Sequence, residues 1–532
     1  MRSLLLSGFS GTGKTTVGPL VAAELGLPFV DTDEEIVRRT DTSIPALWRE
    51  LGEGGFRELE AGLVREILGV GAARVVALGG GTLTGRALRH EVLEKAFVVT
   101  LTARPSVLAA RLREMADRPL LVGSDLEARI EALLEPRLAA YAECHLRVAT
   151  DELTPERAAA AIAAACGVDR VVVPLGTRSY TVTFVDDAPG ALSSAVLALS
   201  PSSVVLVSDT NVQSARDAWL RRAWATAPDV RVTEVTLAPG EENKTLVSVA
   251  EVWRRALGGG IDRRAVVVAL GGGVVGDLAG FAASTLLRGL RVVQVPTTLL
   301  AMVDASVGGK TGFDLPDGKN LIGTFHQPSA VVVDLDHLTT LPARERAAGL
   351  AEVAKIALAC DEALWVSLEE SADALAAGDF ASLAPVVRRA VELKVRLVRD
   401  DEREAGPRVV LNLGHTVGHS LEAGGGYSRY LHGEAVALGL VAECAVAEAM
   451  GGPPGVTARV RRLLARLGLP TEISSEELAR SWHHVAHDKK RVSGGSIALP
   501  LVVRVGEARP ETVSLRELAD ALGLAGAAAL PR

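Results

Sequence analysis

The chain reads as a multi-domain α/β protein: a parallel-sheet domain, then a Rossmann-like α/β domain, then a mainly helical domain. Three observations predict this. At 532 residues it is too long for one module of about 150. Short apolar runs alternate with Ala/Leu/Arg/Glu-rich helical stretches, the pattern of parallel sheets with helical crossovers. Two glycine-rich systems, near residues 10 and 272, exceed what one mononucleotide fold needs.

The predicted strands are Leu4–Leu6, Val75–Leu78, Val98–Leu101, Val171–Val173, Val204–Val207, Val266–Leu270, Val292–Val295 and Val331–Asp334. A helix-like segment, Pro155–Cys166, precedes a boundary near Gly167. Beyond about residue 340 the pattern turns strongly helical, with few strand-like runs until Ser496–Val503, and an Ala-rich tail, Ala521–Leu530, is expected as a terminal helix and a frayed end. The expected domains are 1–167, 168–335 and 336–532. No fixed-period repeat is visible.

Hydrophobic residues make up 48% of the chain and charged residues 23%, which argues against disorder. The net charge of −8 and the lack of a basic block exclude binding to nucleic acid or an anionic membrane by bulk electrostatics. The four cysteines, Cys144, Cys166, Cys360 and Cys444, form no CxxC pair, which disfavours a thiolate zinc site or a disulfide framework. No secretory h-region and no apolar run of about 18 residues is visible, so a cytoplasmic protein without a membrane span is expected.

Gly8 to Thr15 fits GxxxxGK[ST], between a strand and the helix-compatible run Thr16–Leu25. Backbone N–H groups around Gly11, Thr12 and Gly13 can wrap a polyphosphate at a helix N-terminus. Lys14 can reach the β/γ-phosphates, and the Thr15 hydroxyl can sit on Mg²⁺, with Thr16 following. Asp31 and Asp33 flank Thr32 after an apolar segment. A strand end there would hold both carboxylates on one side, one ordering Mg²⁺ and one accepting a hydroxyl proton. A helix cap with a surface acid is the plainer alternative. Arg57, the turn Gly79-Gly80-Gly81, Arg118 and Arg137 (four residues before Tyr141) add cations and close backbone approach. Singly such arginines are most often solvated; grouped around one phosphate loop they suggest a small anionic acceptor.

In this order GxxGxGKTT, DxD, FRxxE, GGG, RPLL and RxxxY resemble shikimate kinase over residues 1–167. The resemblance implies ATP-dependent phosphorylation of the shikimate 3-hydroxyl. Asp33, Arg57, Arg137 and Gly79–Gly81 would hold shikimate, with Asp33 as base. Asp31 and Thr15 would serve Mg²⁺, and Arg118 would lie in a lid over the ATP phosphates.

Farther along, Asp209 and Asn211 follow a strand, where an acid can accept from ribose hydroxyls. Glu241 and Lys244 share a turn. Gly271-Gly272-Gly273-Val274-Val275-Gly276-Asp277 fits GxGxxG but stands well after the first strands of its module. It therefore reads as a pyrophosphate loop of a Rossmann-like fold unlike the standard dehydrogenase type. Thr297, Thr298, Asp304, Lys310 and Lys319 form a run dense in hydrogen-bonding groups, suited to a phosphate or carboxylate. Glu352 and Lys355 lie in a helical stretch, with His415, His419 and His432 downstream. A Glu/His/His set with an open position is a catalytic zinc pattern. Spacing alone leaves open whether His419 or His432 completes it.

PGExxK, GGGVxGDxxGF, PTTLLA, VDxSVGGKT, KNLIG, LxTLPxRE, GxAEVxK, NxGHTxGH and HGExVAxG resemble 3-dehydroquinate synthase over about residues 170–510. This resemblance implies zinc (or cobalt) on Glu352, His415 and His432. It implies NAD⁺ on Asp209, Asn211, Glu241, Lys244, Gly272–Asp277, Thr297 and Thr298, with Lys310, Lys319 and Thr340 of the LxTLPxRE run beside it. Asp304, Lys310, Lys355, Lys394, Arg408, Asn412, His419 and one of Lys489 and Lys490 would surround the substrate, 3-deoxy-D-arabino-heptulosonate 7-phosphate. NAD⁺ would take hydride from C5 and return it after phosphate leaves; ring opening and an aldol step would close the carbocycle. Arg288 would come from a partner subunit, implying a homodimer. Met302, Ala305 and Ile356-Ala357 depart from the family pattern without removing an implied ligand. The nearest alternatives are a metal-dependent polyol or alcohol dehydrogenase, another small-metabolite P-loop kinase, and a nucleotide-binding half without turnover.

Overall fold

A computed structural model describes residues 2–113, 125–315, 318–485, 491–492 and 495–524. The chain divides into two compact units, Met1–Thr183 and Phe184–Arg532. Arg118, Lys489 and Lys490, and most of the Ala-rich tail, lie outside the described residues.

The first unit alternates strands and helices: β1 (Leu4–Ser7), α1 (Lys14–Leu25), β2 (Phe29–Asp31), α2 (Thr32–Thr40), α3 (Ile44–Gly69), β3 (Val75–Ala77), α4 (Arg86–Lys95), β4 (Phe97–Thr102), α5 (Pro105–Arg113), α6 (Leu126–Leu134), α7 (Leu138–Ala142), β5 (Leu146–Ala149), α8 (Pro155–Ala165) and β6 (Asp169–Val173). Its parallel sheet runs in the order β2-β3-β1-β4-β5. β1 is central, and helices cover both faces, which is why Leu4-Leu5-Leu6 reads as an unbroken apolar run. Leu5 packs with Ile36, Phe56, Val64 and Val92 on one side. Leu4 and Leu6 pack with Val17, Val21 and Ile162 on the other. The carboxyl ends of β1, β2 and β3 thereby bring the phosphate loop, the two aspartates and the triple glycine to one edge.

The division falls inside β7 (Tyr180–Val185). In the second unit α9 (Gly190–Leu197), β8 (Val204–Asp209), α10 (Thr210–Ala225), β9 (Val232–Leu237), α11 (Leu246–Gly258), β10 (Val266–Gly271), α12 (Gly273–Thr285) and β11 (Arg291–Pro296) form the Rossmann-like part. An antiparallel ribbon, β12 (Lys310–Leu315) and β13 (Gly318–Phe325), follows, then β14 (Ala330–Asp334). The parallel strands lie in the order β14-β11-β10-β8-β9. The helical part comprises α13 (Ala343–Cys360), α14 (Glu362–Ala377), α15 (Phe380–Asp400), α16 (His415–Gly424), α17 (His432–Ala449), α18 (Val456–Arg466) and α19 (Ser475–Val485). A small antiparallel sheet, β15 (Arg491–Val492), β16 (Ser496–Arg504) and β17 (Glu507–Ser514), and α20 (Leu515–Ala521) follow.

The ribbon was not legible as strands, because glycines, lysines and Asn320 interrupt its apolar alternation. β17 escaped for a similar reason: charged residues flank Pro510 at a position where β16 supplies the partner strand.

Three glycine contacts weld the helical part. A Cβ at Gly439 of α17 would collide with the Gly414 carbonyl, and one at Gly433 with the Ala348 carbonyl. A Cβ at Gly418 of α16 would lie 3.0 Å from the Ala435 carbonyl oxygen. α16 and α17 therefore meet backbone to backbone. No helix among the described residues is long and apolar enough to cross a membrane.

Candidate functional site

In the first unit, Gly8, Gly11 and Gly13 hold φ of 134°, 84° and 97°, a path open to glycine. They turn the chain from β1 into α1, which begins at Lys14 and runs through Thr15 and Thr16. Lys14 Nζ donates to the carbonyls of Gly8 (2.8 Å) and Phe9 (3.1 Å), so its charge is folded into the loop. Thr12 Oγ1 donates to Phe9 O at 2.8 Å and stiffens the same turn. Thr15 Oγ1 donates to Asp31 Oδ2 at 2.9 Å, which brings the two expected Mg²⁺-side groups into contact.

The aspartates do not share a strand end. Asp31 closes β2 and caps α2, its Oδ1 accepting from the N–H groups of Asp33 (3.0 Å) and Glu34 (3.4 Å). The cap starts a helix at once, so Asp33 projects from its first turn. It points at the triple glycine: a Cβ at Gly79 would lie 3.0 Å from Asp33 Oδ1. A Cβ at Gly81 would collide with the Arg57 guanidinium, so glycine is what admits that arginine. Arg57 is braced by Glu60 Oε2 (2.5 Å) and lies 5.3 Å from the Trp48 ring centroid. Glu60 Oε1 accepts from Thr82 Oγ1 at 2.7 Å. Burial pushes the Glu60 carboxyl upward against the pull of Arg57. Tyr141 donates to Gly80 O at 2.5 Å, and Arg137 lies over the Phe9 ring at 5.5 Å. Asp33, Arg57, Arg137 and Gly79–Gly81 thus converge beside the phosphate loop. Arg111 belongs to none of these motifs. It donates to Gly11 O (3.2 Å) and Thr150 O (2.6 Å), tying the loop to the segment after β5.

In the second unit the carboxyl ends of the parallel strands carry the residues expected on the nucleotide side, where ligands of open α/β sheets bind. Asp209 ends β8 and caps α10, accepting from Asn211 and Val212 N–H at 2.9 Å each. Gly272 caps α12, whose first turns hold Gly273, Val274, Val275, Gly276 and Asp277. A Cβ at Gly272 would lie 3.0 Å from Thr298 Cγ2, and Thr297 N–H donates to Gly271 O at 2.9 Å. Buried Lys244 pairs with Asp277 at 2.6 Å and donates to Asn320 at 2.6 Å. Lys319 reaches Glu241 at 3.2 Å. Thr340 belongs to a neighbouring cluster, accepting from Arg216 at 3.3 Å. Arg288 is exposed with φ 70°, and hydrogen-bonds to no residue of this site among the described residues.

α13 supplies Glu352 and Lys355, α16 supplies His415 and His419, and α17 supplies His432. Ligand atoms of Glu352, His415 and His432 all lie within 4.8 Å of one another. Glu352 Oε1 faces His432 Nε2 at 3.5 Å and His415 Nε2 at 3.8 Å. Both Glu352 oxygens are buried and, among the described residues, take no hydrogen bond of ordinary geometry, although Lys355 ion-pairs with Oε2. An orphaned carboxylate oxygen facing two imidazole nitrogens fits a divalent cation bound through N and O donors. His419 stays close, its ring centroid 5.1 Å from that of His415, and with Glu422 and His432 makes a second cluster of ligating atoms.

α16 is held by an unexpected device. Fully buried Glu443 of α17 accepts from the N–H groups of Gly414 (2.6 Å), Thr416 (3.0 Å) and Val417 (3.2 Å). One carboxylate thereby satisfies the N-terminal amides of the helix that bears His415.

Cations surround this centre. Lys394 pairs with Asp304 at 2.6 Å. Burial opposes the charge of Asp304, but Lys394 and Lys355 outweigh it and hold the carboxyl below the usual range. Lys310 pairs with Glu404, which also accepts from Asn412 Nδ2 at 2.7 Å and lies 3.9 Å from Arg408. Glu404 stands at φ 59°, a strained conformation kept where it gathers three expected site residues. Crowding by protein, then by Arg408 and Lys394, pushes Lys310 down to about 7, although half its side-chain surface meets solvent. Ala305, one of the departures, has its Cβ 3.5 Å from where a Gly273 Cβ would stand, and Met302 is fully buried. Glu404, Glu422 and Glu443 gave no signal in the sequence, because lone glutamates in helical or charged runs look like solvated faces.

The family model described as shikimate kinase matches residues 10–166. Those of the 3-dehydroquinate synthase N-terminal and C-terminal parts match residues 234–348 and 349–491. Among solved structures, a 2-epi-5-epi-valiolone synthase from Streptomyces hygroscopicus subsp. jinggangensis, with NAD⁺ and Zn²⁺ bound, is 30% identical; the match covers 64% of this chain and 95% of that one, at a TM-score of 0.58. A 2-deoxy-scyllo-inosose synthase complexed with carbaglucose-6-phosphate, NAD⁺ and Co²⁺ is 24% identical, covering 67% and 99%, at a TM-score of 0.60. A shikimate kinase from Acinetobacter baumannii in complex with shikimate is 33% identical, covering 30% and 90%, at a TM-score of 0.29.

Proposed function

Since the chain belongs to the shikimate kinase family in its first part and to the 3-dehydroquinate synthase family in its second, we propose that it phosphorylates shikimate with ATP and converts 3-deoxy-D-arabino-heptulosonate 7-phosphate to 3-dehydroquinate. A kinase and a cyclase-type lyase thus share one polypeptide of the shikimate pathway. The domains we assign are 1–167 for the kinase, 168–335 for the dinucleotide part and 336–532 for the metal and substrate part.

In the kinase part, Gly11 to Thr16 cradle the ATP phosphates, and Lys14 swings from its carbonyls onto the β/γ-phosphates. Thr15 and Asp31 serve Mg²⁺. Arg57 and Arg137 grip the shikimate carboxylate, a task suited to planar guanidinium groups. Asp33 accepts the proton of the attacking hydroxyl.

In the synthase part, Glu352, His415 and His432 hold the zinc or cobalt ion, and Asp209, Glu241, Lys244 and the loop at Gly272–Asp277 hold NAD⁺. When bound, these two groups supply Lewis-acid polarisation and a reversible hydride acceptor. Lys310, Lys394 and Arg408 grip the substrate's anionic groups, Asn412 orients it, and His419 stands among the residues that relay protons. Asp304 holds Lys394 in place. Arg288 of a second copy completes the pocket, so the synthase acts as a homodimer. A substrate bearing both phosphate and carboxylate suits this number of cations better than a neutral polyol does.

One observation carries the reading: the Glu352/His415/His432 trio lies in one polar network with Lys355, Asp304, Lys394, Lys310 and Arg408. The test supplies the heptulosonate phosphate with NAD⁺ and Zn²⁺ and follows phosphate release and NADH absorbance. Phosphate without net NADH is expected; accumulating NADH identifies a dehydrogenase and overturns the assignment. A phosphorylated sugar without the carboxylate, turned over faster, would overturn the substrate alone. Shikimate with ATP and Mg²⁺ should yield ADP and shikimate 3-phosphate.

A further inference from the structure

Glu422 lies between two parts of the second site. Its side chain is 2% exposed. Oε1 accepts from Lys319 Nζ at 2.9 Å, and Oε2 faces His432 Nδ1 at 3.3 Å. Lys319 also reaches Glu241 at 3.2 Å and sits 4.9 Å from the Tyr427 ring centroid. His432 turns its other nitrogen, Nε2, to Glu352 Oε1 at 3.5 Å. A continuous polar path therefore runs Glu241–Lys319–Glu422–His432–Glu352. It starts on the nucleotide side of the cleft and ends in the metal trio.

A carboxylate on one imidazole nitrogen makes that nitrogen the donor, so the lone pair of the other is free for a cation. A carboxylate so deeply buried is tolerated only while both partners stay in place. One of those partners, Lys319, belongs to β13 and is shared with Glu241. The neighbouring residue, Asn320, accepts from Lys244, so both nucleotide-side lysines are anchored on the same stretch of ribbon.

We infer that Glu422 is a positioning residue that couples dinucleotide binding to metal binding. Resting on the proposed NAD⁺ and metal dependence, the coupling works by ordering. A dinucleotide that engages Glu241 fixes Lys319, hence Glu422 and the His432 ring, before the ion arrives. The ion then loses less ordering freedom on binding, and by reciprocity it tightens the dinucleotide by the same factor.

The test titrates the metal-free full chain with Co²⁺ against a competing chelator, with and without saturating NAD⁺, and reads the visible Co²⁺ spectrum. In the wild type NAD⁺ should tighten Co²⁺ by about 5-fold or more. Glu422→Gln should weaken Co²⁺ by about 10- to 100-fold and remove the NAD⁺ effect. Lys319→Met, which strips Glu422 of its cation, should weaken Co²⁺ less than Glu422→Gln does and also remove the effect, with equilibrium dialysis of NAD⁺ showing that the dinucleotide is still bound at the saturating concentration used. An NAD⁺ effect retained in Lys319→Met overturns the proposal. So does outright loss of Co²⁺ binding in Glu422→Gln, which would make Glu422 a ligand of the second cluster. A wild type that binds both with no mutual effect overturns the coupling alone; one that binds neither overturns the underlying reading too.

Discussion

Lys310 shows how much one residue's surroundings decide. Its ammonium has a folded pKa of about 7, against about 10.4 for a free lysine. Below pH 7 it is charged and can hold a phosphate; through pH 7 to 8 it loses that charge. Substrate KM for phosphate release should therefore rise as pH climbs from 6 to 8, and the rise should flatten in Lys310→Arg, whose guanidinium stays charged; steady-state kinetics across that range check it. Lys310 pairs with Glu404, but burial and the neighbouring cations Arg408 and Lys394 prevail, so the stability sign is opposite to that of a lysine whose pKa is raised on folding. Between pH 7 and about 10.4 the unfolded chain binds the extra proton, so this residue's contribution to stability improves as pH rises through that window. At this scale the sequence showed the residues whose chemistry is local. Lys14 and Thr15 sit in a loop pattern that dictates their place, and Glu352, His415 and His432 are ligating types. Glu404 was illegible because its role arises from three partners that the fold, not the spacing, brings to it.

At the scale of elements, α16 and α17 act as one piece. Glu443 caps the first helix from inside the second, and Gly414, Gly418 and Gly439 let the backbones touch. Glu443→Gln replaces a charge-assisted acceptor by a neutral amide beside the same N–H groups, a loss of about 1.5–3 kcal/mol. The variant should show a lower melting temperature for the synthase part and weaker metal retention against a chelator, while ADP formation from shikimate and ATP is kept. Gly439→Ala should cost about 1–3 kcal/mol through overpacking against the Gly414 carbonyl, read by denaturant unfolding. Strands buried on both faces announced themselves as apolar runs, which is why β1, β8, β10 and β11 were found. The β12–β13 ribbon and β17 were not, since their pairing is set by partners distant from any periodic signal. The change from strand end to helix cap at Asp31 was equally hidden, because the same Asp-Thr-Asp letters serve either.

At the scale of the whole molecule, each cluster of candidate residues draws on one side of the division at Thr183 and Phe184. Lys14→Ala should abolish phosphorylation of shikimate and leave phosphate release unchanged. Glu352→Ala should lose bound metal and phosphate release and leave the kinase unchanged. Both are read in the same preparation by coupled assays and metal analysis. The alternation of strands and helices, with two unrelated glycine loops, already required more than one centre. Where the chain crosses from one compact unit to the other was less visible, because β7 straddles the division and carries no breaker residue of its own. That division has a genetic corollary. A substitution confined to one site should silence one catalyst and spare the other, while a single chain delivers the two in a one-to-one dose that no change in promoter strength can alter.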